Sequence, residues 1–327
     1  MVDALFSRPV VDLGDRNPQW RGIWSPEYDE ETVARYLTDQ FRERADEYVR
    51  THHNTDRSFR LLEAAFRRAV VDLAGPAVIL DLGSGSGTTI TPLLNLFTHP
   101  ATRIVATDLS LEMLLLCRHL VASHPKADRC EFLQLNAEEM EFRPGSLDVV
   151  VGSAILHHLL EPEKAIAGAA RALRPGGVAV FFEPFEAGFM LERLIYEAIL
   201  ADPRRDQLPA ALVEFWGNRA RALLAQRGTD RDPASRQHLD DKWLFTRSFL
   251  ERAADAAGFR RLSVTPLDPG LGAIYRGKIN WIIETYHGTS LDNLPEWVRD
   301  VVHRFDGAFS TDCKEGLLME GCITFWK

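Results

Sequence analysis

What the chain has little of narrows it first. Its 327 residues include only four cysteines, Cys117, Cys130, Cys313 and Cys322, and no two of them stand in a C-x-x-C spacing. That scatter speaks against a disulfide framework and a cysteine zinc site, and leaves reduced, packed thiols as the expectation. No uninterrupted apolar run approaches the ~20 residues that a bilayer-crossing helix requires, so no membrane span is expected. The opening "MVDALFSRPVVDLGD" has early acids and no basic patch ahead of a long apolar stretch. A secretory signal is therefore not expected, and the chain reads as cytoplasmic. Cationic side chains do not dominate either: 38 Lys and Arg against 47 Asp and Glu leave a formal charge of -9. Duplex-DNA binders draw most of their affinity from cations meeting phosphates, so the expected partner is a small molecule and not a nucleic acid.

The chain is long for one compact core, which points to one enlarged domain or two closely joined ones, with room for a buried pocket. Residues 1–75 read as an N-terminal helical lid. Val33, Tyr36, Leu37 and Phe41 fall on one stripe, Phe59, Leu62, Phe66, Val70 and Leu73 on a second, and Asp56 is the expected N-cap of the second helix. From 76 to 185 the runs "AVILDL", "RIVATD", "CEFLQLN", "LDVVVGS" and "GVAVFFE" alternate with helical patterns, the mark of parallel strands joined by crossover helices. Ser110 is placed to cap one of these helices, and Pro162 sits in the first turn of another. Residues 186–245 are helical and rich in charge and aromatics, without the bias of a flexible tether; they form an insertion that caps the substrate. Residues 246–327 return to the α/β pattern, with a helix ended by Gly258, a strand, a further inserted helical segment at 268–321 and a last strand in "CITFWK".

The sharpest local signal is "VILDLGSGSGTTI", Val78 to Ile90. Gly83, Gly85 and Gly87 leave amides bare and permit positive φ, so a ligand can come against the main chain. A dinucleotide fold would place a third glycine where Thr88 stands. A P-loop would follow the glycines with a lysine, and none follows.

This G-x-G-x-G spacing, with Asp81 at the strand end, resembles the first motif of the class I S-adenosylmethionine-dependent methyltransferases, D/E-x-G-x-G-x-G. The likeness continues through Asp108 at the end of the second strand, Asn136-Ala137-Glu138 after the third, Asp148 opening the fourth, "ILHHL" after it and "LRPGG" before the fifth. It covers 77–185 with the C-terminal strands, about half the chain. The resemblance implies an α/β, Rossmann-like, seven-stranded, mostly parallel sheet with helices on both faces, a helical lid before it and helical insertions after strands five and six. It implies S-adenosylmethionine as cofactor and a small-molecule acceptor. Gly83 and Gly85 would pass the methionyl end, Asp81 would hold its ammonium directly or through water, and Ser84 and Gly87 would be among the cofactor-binding residues. Asp108 would take the ribose hydroxyls, Leu109 the adenine face, and Asn136 or Ala137 the adenine amino group, although many relatives carry Asp where this chain has Asn136. Gly152 and Ser153 would wall the transferable methyl.

Methyl transfer is an in-line displacement at an activated carbon, so an enzyme mainly aligns the nucleophile and excludes water. A base is needed when the acceptor is a hydroxyl or an acidic carbon. His157 and His158 stand at the mouth of the fourth strand, where open α/β sheets bind ligands. If that segment is helical, neighbours point about 100° apart, so one of the pair faces the pocket, and position favours His158. Glu183 is a further candidate base or substrate anchor, and His52 and His53 lie in the lid loop. No metal is expected, since no carboxylate cluster is evident. Aromatics of the insertions are expected to form a hydrophobic seam that fastens the insertions to the sheet, and their surplus suggests a pocket for a sizeable, partly apolar acceptor, with a secondary metabolite or quinone-like compound in view. The segment "GSAI" after the fourth strand replaces the N/D-P-P-Y-like tetrad of base-methylating relatives. A non-methylating reaction on the same fold, such as a cyclisation, a silent scaffold subunit and a homodimer all stay open.

Overall fold

The computed structural model describes residues 2–37, 54–228, 232–267 and 272–327. Its centre is a nine-stranded sheet: β1 Val11–Asp12, β2 Ile23–Ser25, β3 Val78–Leu82, β4 Arg103–Asp108, β5 Cys130–Gln134, β6 Leu147–Ser153, β7 Leu173–Pro184, β8 Arg261–Pro266 and β9 Glu320–Trp326. The strands lie in the order β1-β2-β5-β4-β3-β6-β7-β9-β8. Pairing is parallel from β2 to β7 and antiparallel at β1/β2, β7/β9 and β9/β8. β3 to β9 supply the seven expected strands.

Two more come from the N-terminal segment, which is therefore not only a helical lid. Ile23 and Trp24 pair with Phe132 and Leu133 of β5, and they cover an edge that would otherwise expose unpaired amides and carbonyls. Such short strands carry no alternating pattern that would reveal them. Helices Glu30–Tyr36 and Thr55–Ala69 carry Val33 and Tyr36 of the first expected stripe and Phe59, Leu62 and Phe66 of the second, while Leu37, Val70 and Leu73 fall beyond the helix ends. Asn54, not Asp56, caps the second, by accepting from the Arg57 amide at 2.9 Å, and Val70 ends it at a φ of +59° and is 87% exposed. Phe41, His52 and His53 lie outside the described residues.

Strand residues alternate between two buried faces, as the two-residue repeat demands. Leu80, Val105, Leu133, Val150 and Ala179 face helices Pro162–Ala172 and Arg247–Ala257. Ile79, Ile104, Phe132, Val149 and Val180 face helices Thr55–Ala69, Ile90–Leu96 and Leu111–Val121. Ser110 caps Leu111–Val121 through the Met113 amide, Pro162 opens its helix, and Gly258 ends another at a φ of +74°. Every crossover delivers its loop to the C-terminal end of the parallel strands, where the candidate site gathers.

The two insertions build a core of their own. Helices Glu186–Leu200, Ala210–Gln226, Ile274–His287 and Glu296–Ala308 enclose Tyr196, Trp216, Tyr275 and Trp297. Tyr196 and Trp216 stack with centroids 5.8 Å apart. Most of the aromatic surplus thus packs the insertions together instead of lining a pocket; Trp281 and Tyr286 stay 43% and 51% exposed. Among the described residues, no helix is long and apolar enough to cross a membrane.

Candidate functional site

Where β3 ends, Gly83, Gly85 and Gly87 adopt φ of +67°, +52° and +91°, values that strain any side chain. A Cβ on Gly83 would stand 2.6 Å from Ile155 Cδ1, and one on Gly87 2.9 Å from Cys117 Sγ, so close packing also demands both glycines. A Cβ on Gly85 would meet nothing within 4 Å. That open face is what a ligand lying on the main chain requires. Ser84 is used within the loop: its amide donates to the Thr107 carbonyl at 2.6 Å, and its hydroxyl donates to the Asp81 carbonyl and accepts from the Thr107 amide.

Two carboxylates flank the loop. Asp81 is fully buried; its Oδ2 accepts from the Thr89 hydroxyl at 2.5 Å, while Oδ1 has no hydrogen-bond partner among the described residues. Asp108, at the end of β4, accepts the amides of Gly85 and Ser110, each at 2.9 Å. Burial pushes both acids up to about 6, against the pull of these donors. An ionised carboxylate has about four acceptor positions. Asp108 therefore retains capacity for two hydroxyls, and Asp81 Oδ1 for an ammonium or a bridging water. Gly83 to Ile90 contain no lysine or arginine to meet a phosphate. The residues fit a phosphate-free, cationic nucleoside, as S-adenosylmethionine is.

The remaining cofactor candidates line the same end of the sheet. Leu109 is buried, and its carbonyl accepts from Gln134 Nε2. Asn136 is drawn into the turn that follows it: Oδ1 accepts the Glu138 amide, Nδ2 donates to Glu139, and its own amide donates to the Tyr28 hydroxyl at 3.0 Å. Ala137 is buried beside it, and Ser153 closes β6 opposite Phe182. Tyr28 and Thr89 were not singled out from sequence, because neither belongs to a spaced pattern.

After Ser153 the chain turns at Ala154, φ +55°, into the 3-10 turn Leu156–His158. Glu183, 2% exposed at the end of β7, organises that turn. Its carboxylate accepts the amides of Ile155, Leu156 and His157 at 3.0, 2.8 and 3.3 Å and lies 2.6 Å from His157 Nδ1. Glu183, the candidate base or substrate anchor, thus gives its carboxylate to three amides and the His157 ring. The expectation that one histidine alone turns inward assumed a helix. In the tighter turn the two rings lie 4.1 Å apart, and Asp241 of the insertion reaches both, with Oδ1 3.5 Å from His157 Nε2 and 3.6 Å from His158 Nδ1.

Burial opposes charge on both rings. At His157, Glu183 and Asp241 outweigh it and raise the imidazole to about 10; at His158, burial and the neighbouring His157 lower it to about 3. Asp241 lies in "HLDDKW", which carries no motif. It is placed by two long-range bonds, from the Lys242 amide to the His157 carbonyl at 2.7 Å and from Trp243 Nε1 to the Leu159 carbonyl at 2.6 Å.

Comparison with known proteins agrees with this geometry. Residues 80–181 match the family described as "Methyltransferase domain". A demethylmenaquinone methyltransferase of Clavibacter sepedonicus is 37% identical over 123 residues, 38% of this chain and 47% of its own. A ubiquinone/menaquinone biosynthesis C-methyltransferase of Stutzerimonas stutzeri is 26% identical over 217 residues, 65% of this chain and 77% of its own. The matched part spans 28% to 48% of the length of the first curated relatives. Among solved structures, a chain of the Haloferax volcanii complex between the Trm112 methyltransferase activator and a methyltransferase has a TM-score of 0.51 at 15% identity, covering 86% of this chain and 96% of that one, which shows a shared fold. Residues 80–181, which carry the glycine loop, Asp81 and Asp108, are thus similar to a methyltransferase domain.

Proposed function

We propose that the chain transfers a methyl group from S-adenosylmethionine to an oxygen or carbon acceptor on a small, partly apolar molecule. The observation that carries this reading is the cluster of His157, His158, Glu183 and Asp241 one turn beyond Ser153, roofed by the 186–245 insertion. An acceptor that already presents a free lone pair needs no such apparatus, whereas a hydroxyl or an enolisable ring carbon must be polarised before it attacks. The relatives include C-methyltransferases of ubiquinone/menaquinone biosynthesis.

When bound, S-adenosylmethionine supplies a methyl carbon made electrophilic by its sulfonium. Gly83 and Gly85 hold the methionyl end against the main chain, Asp81 receives its ammonium, and Asp108 receives the ribose hydroxyls. Leu109 and the Asn136-Ala137 segment border the adenine, and Ser153 lies toward the methyl. Glu183 fixes the turn that carries His157 and His158. The insertion is fastened to the turn through the Lys242 amide and the Trp243 indole.

The test is incubation with isotopically labelled cofactor and a panel of phenols, hydroxyquinones and aliphatic alcohols, followed by mass spectrometry. Products carrying the labelled methyl are expected. Failure to bind the cofactor by calorimetry would sink the reading, and products without a methyl gain would replace transfer with a rearrangement on the same fold.

A further inference from the structure

The turn at Leu156–His158 gathers more donor atoms than a hydrogen-bonded pair uses. Asp241 Oδ1 lies 3.5 Å from His157 Nε2 and 3.6 Å from His158 Nδ1, beyond the roughly 2.7–3.2 Å of a hydrogen bond. Those separations match a different geometry: ligands held ~2.0–2.2 Å from a tetrahedral ion stand ~3.3–3.5 Å apart. One donor atom from each of His157, His158 and Asp241 lies within 4.8 Å of the other two.

The donors are held from behind. His157 directs Nδ1 to Glu183 at 2.6 Å, the carboxylate support that orients a ligating imidazole and raises its basicity. Glu183 is itself locked by three amides. Asp241 is anchored by the Lys242 amide and the Trp243 indole; His158 Nδ1 donates to the Asp240 carbonyl at 2.9 Å, and a bound ion would take the place of that proton. Asp241 keeps 49% of its side chain exposed, so an ion has a way in.

We propose that His157, His158 and Asp241 form a binding site for a divalent transition-metal ion of the Zn2+ class. Two imidazoles and one carboxylate suit Zn2+, Fe2+ or Mn2+, whereas Ca2+ and Mg2+ take oxygen ligands. Three protein ligands leave a coordination position open, as catalytic sites do. In that position the ion would bind the acceptor oxygen and ease loss of its proton; this role, unlike the site itself, rests on the methyl-transfer reading above. The sequence reading expected no metal because it found no carboxylate cluster; His158 and Asp241 are far apart in the chain, and the fold of the insertion joins them.

The experiment uses the full-length protein, stripped with a chelator, re-equilibrated with Zn2+ or Co2+ and gel-filtered. Wild type is compared with Asp241→Asn, with thermal melting as the check on folding. If Asp241→Asn melts early, His158→Ala takes its place. Elemental analysis is expected to find about one Zn2+ per wild-type chain, Co2+ to give visible bands, and the variant to bind roughly 10–100-fold more weakly. A wild type that retains no Zn2+, or a well-folded variant that holds it equally and gives the same Co2+ spectrum, overturns the site. Cofactor binding without Zn2+ binding removes the metal site and leaves methyl transfer standing; Zn2+ binding without cofactor binding does the reverse.

Discussion

At Gly85 the difference between hydrogen and methyl separates ligand space from packing. Alanine there takes on the strain of a φ of +52° and places a Cβ where no protein atom stands within 4 Å. The backbone cost is about 1 kcal/mol. Gly85→Ala is expected to fold and to bind S-adenosylmethionine about tenfold more weakly or worse, a change of ~1.4 kcal/mol. Gly83→Ala drives its Cβ to 2.6 Å from Ile155 and is expected to lower the melting temperature as well. Calorimetry and thermal melts of both variants check this, and identical behaviour of the two would contradict it. Asp81 and Asp108 carry the pH dependence. Burial raises both from 3.8 to about 6, so each binds a proton more readily in the folded chain than in the unfolded one. Their contribution to the stability of the ligand-free protein is fully present below pH 3.8 and is lost as the pH rises through about 6. Cofactor affinity runs in the opposite direction, because the ammonium and the hydroxyls require the anions. The dissociation constant should fall as the pH rises through about 6 and then level off; a flat calorimetric profile would refute the assignment.

At the scale of elements, the 3-10 turn after β6 depends on one side chain from the end of β7. Glu183→Ala leaves three amides without their acceptor, at about 1–3 kcal/mol for each buried group left unpaired. A lowered melting temperature is expected together with lost turnover. Glu183→Gln keeps an oxygen for the amides and removes the charge beside His157, so it should melt closer to wild type while turnover still falls. Melts and rates measured side by side separate the two effects. The insertions stand on different footing. Trp216 is fully buried among their helices and stacks on Tyr196, so Trp216→Ala should cost about 3–5 kcal/mol, read as a shift in denaturant midpoint. No equal loss of cofactor affinity is expected, since Trp216 packs in a core apart from the glycine loop.

For the whole molecule, a ligand that binds only the folded chain stabilises it by mass action, about 2.7 kcal/mol at a hundred times its dissociation constant. S-adenosylmethionine and its demethylated product should both raise the melting temperature, and a pyridine dinucleotide should not. The strands from β3 to β7, the caps at Ser110 and Gly258, the glycine loop and its two acids were legible in the chain because each is written in contiguous residues at a fixed spacing. The strands β1 and β2 were not, since two or three residues in extended conformation leave no periodic trace and exist only because β5 offers an open edge. The aromatic residues of the insertions read as a packed seam with a surplus for a pocket, and most of them pack in cores; composition does not say which ones, because it does not say which face of a helix meets another. By itself, then, the sequence determined the kind of sheet, the alternation of its strands and helices and the cofactor, all of which follow from local backbone and side-chain preferences. Only the tertiary structure decided that Glu183 holds the turn, that both histidines converge, and that Asp241 meets them, for these contacts join residues remote in the chain whose approach is set by how the insertion packs on the sheet.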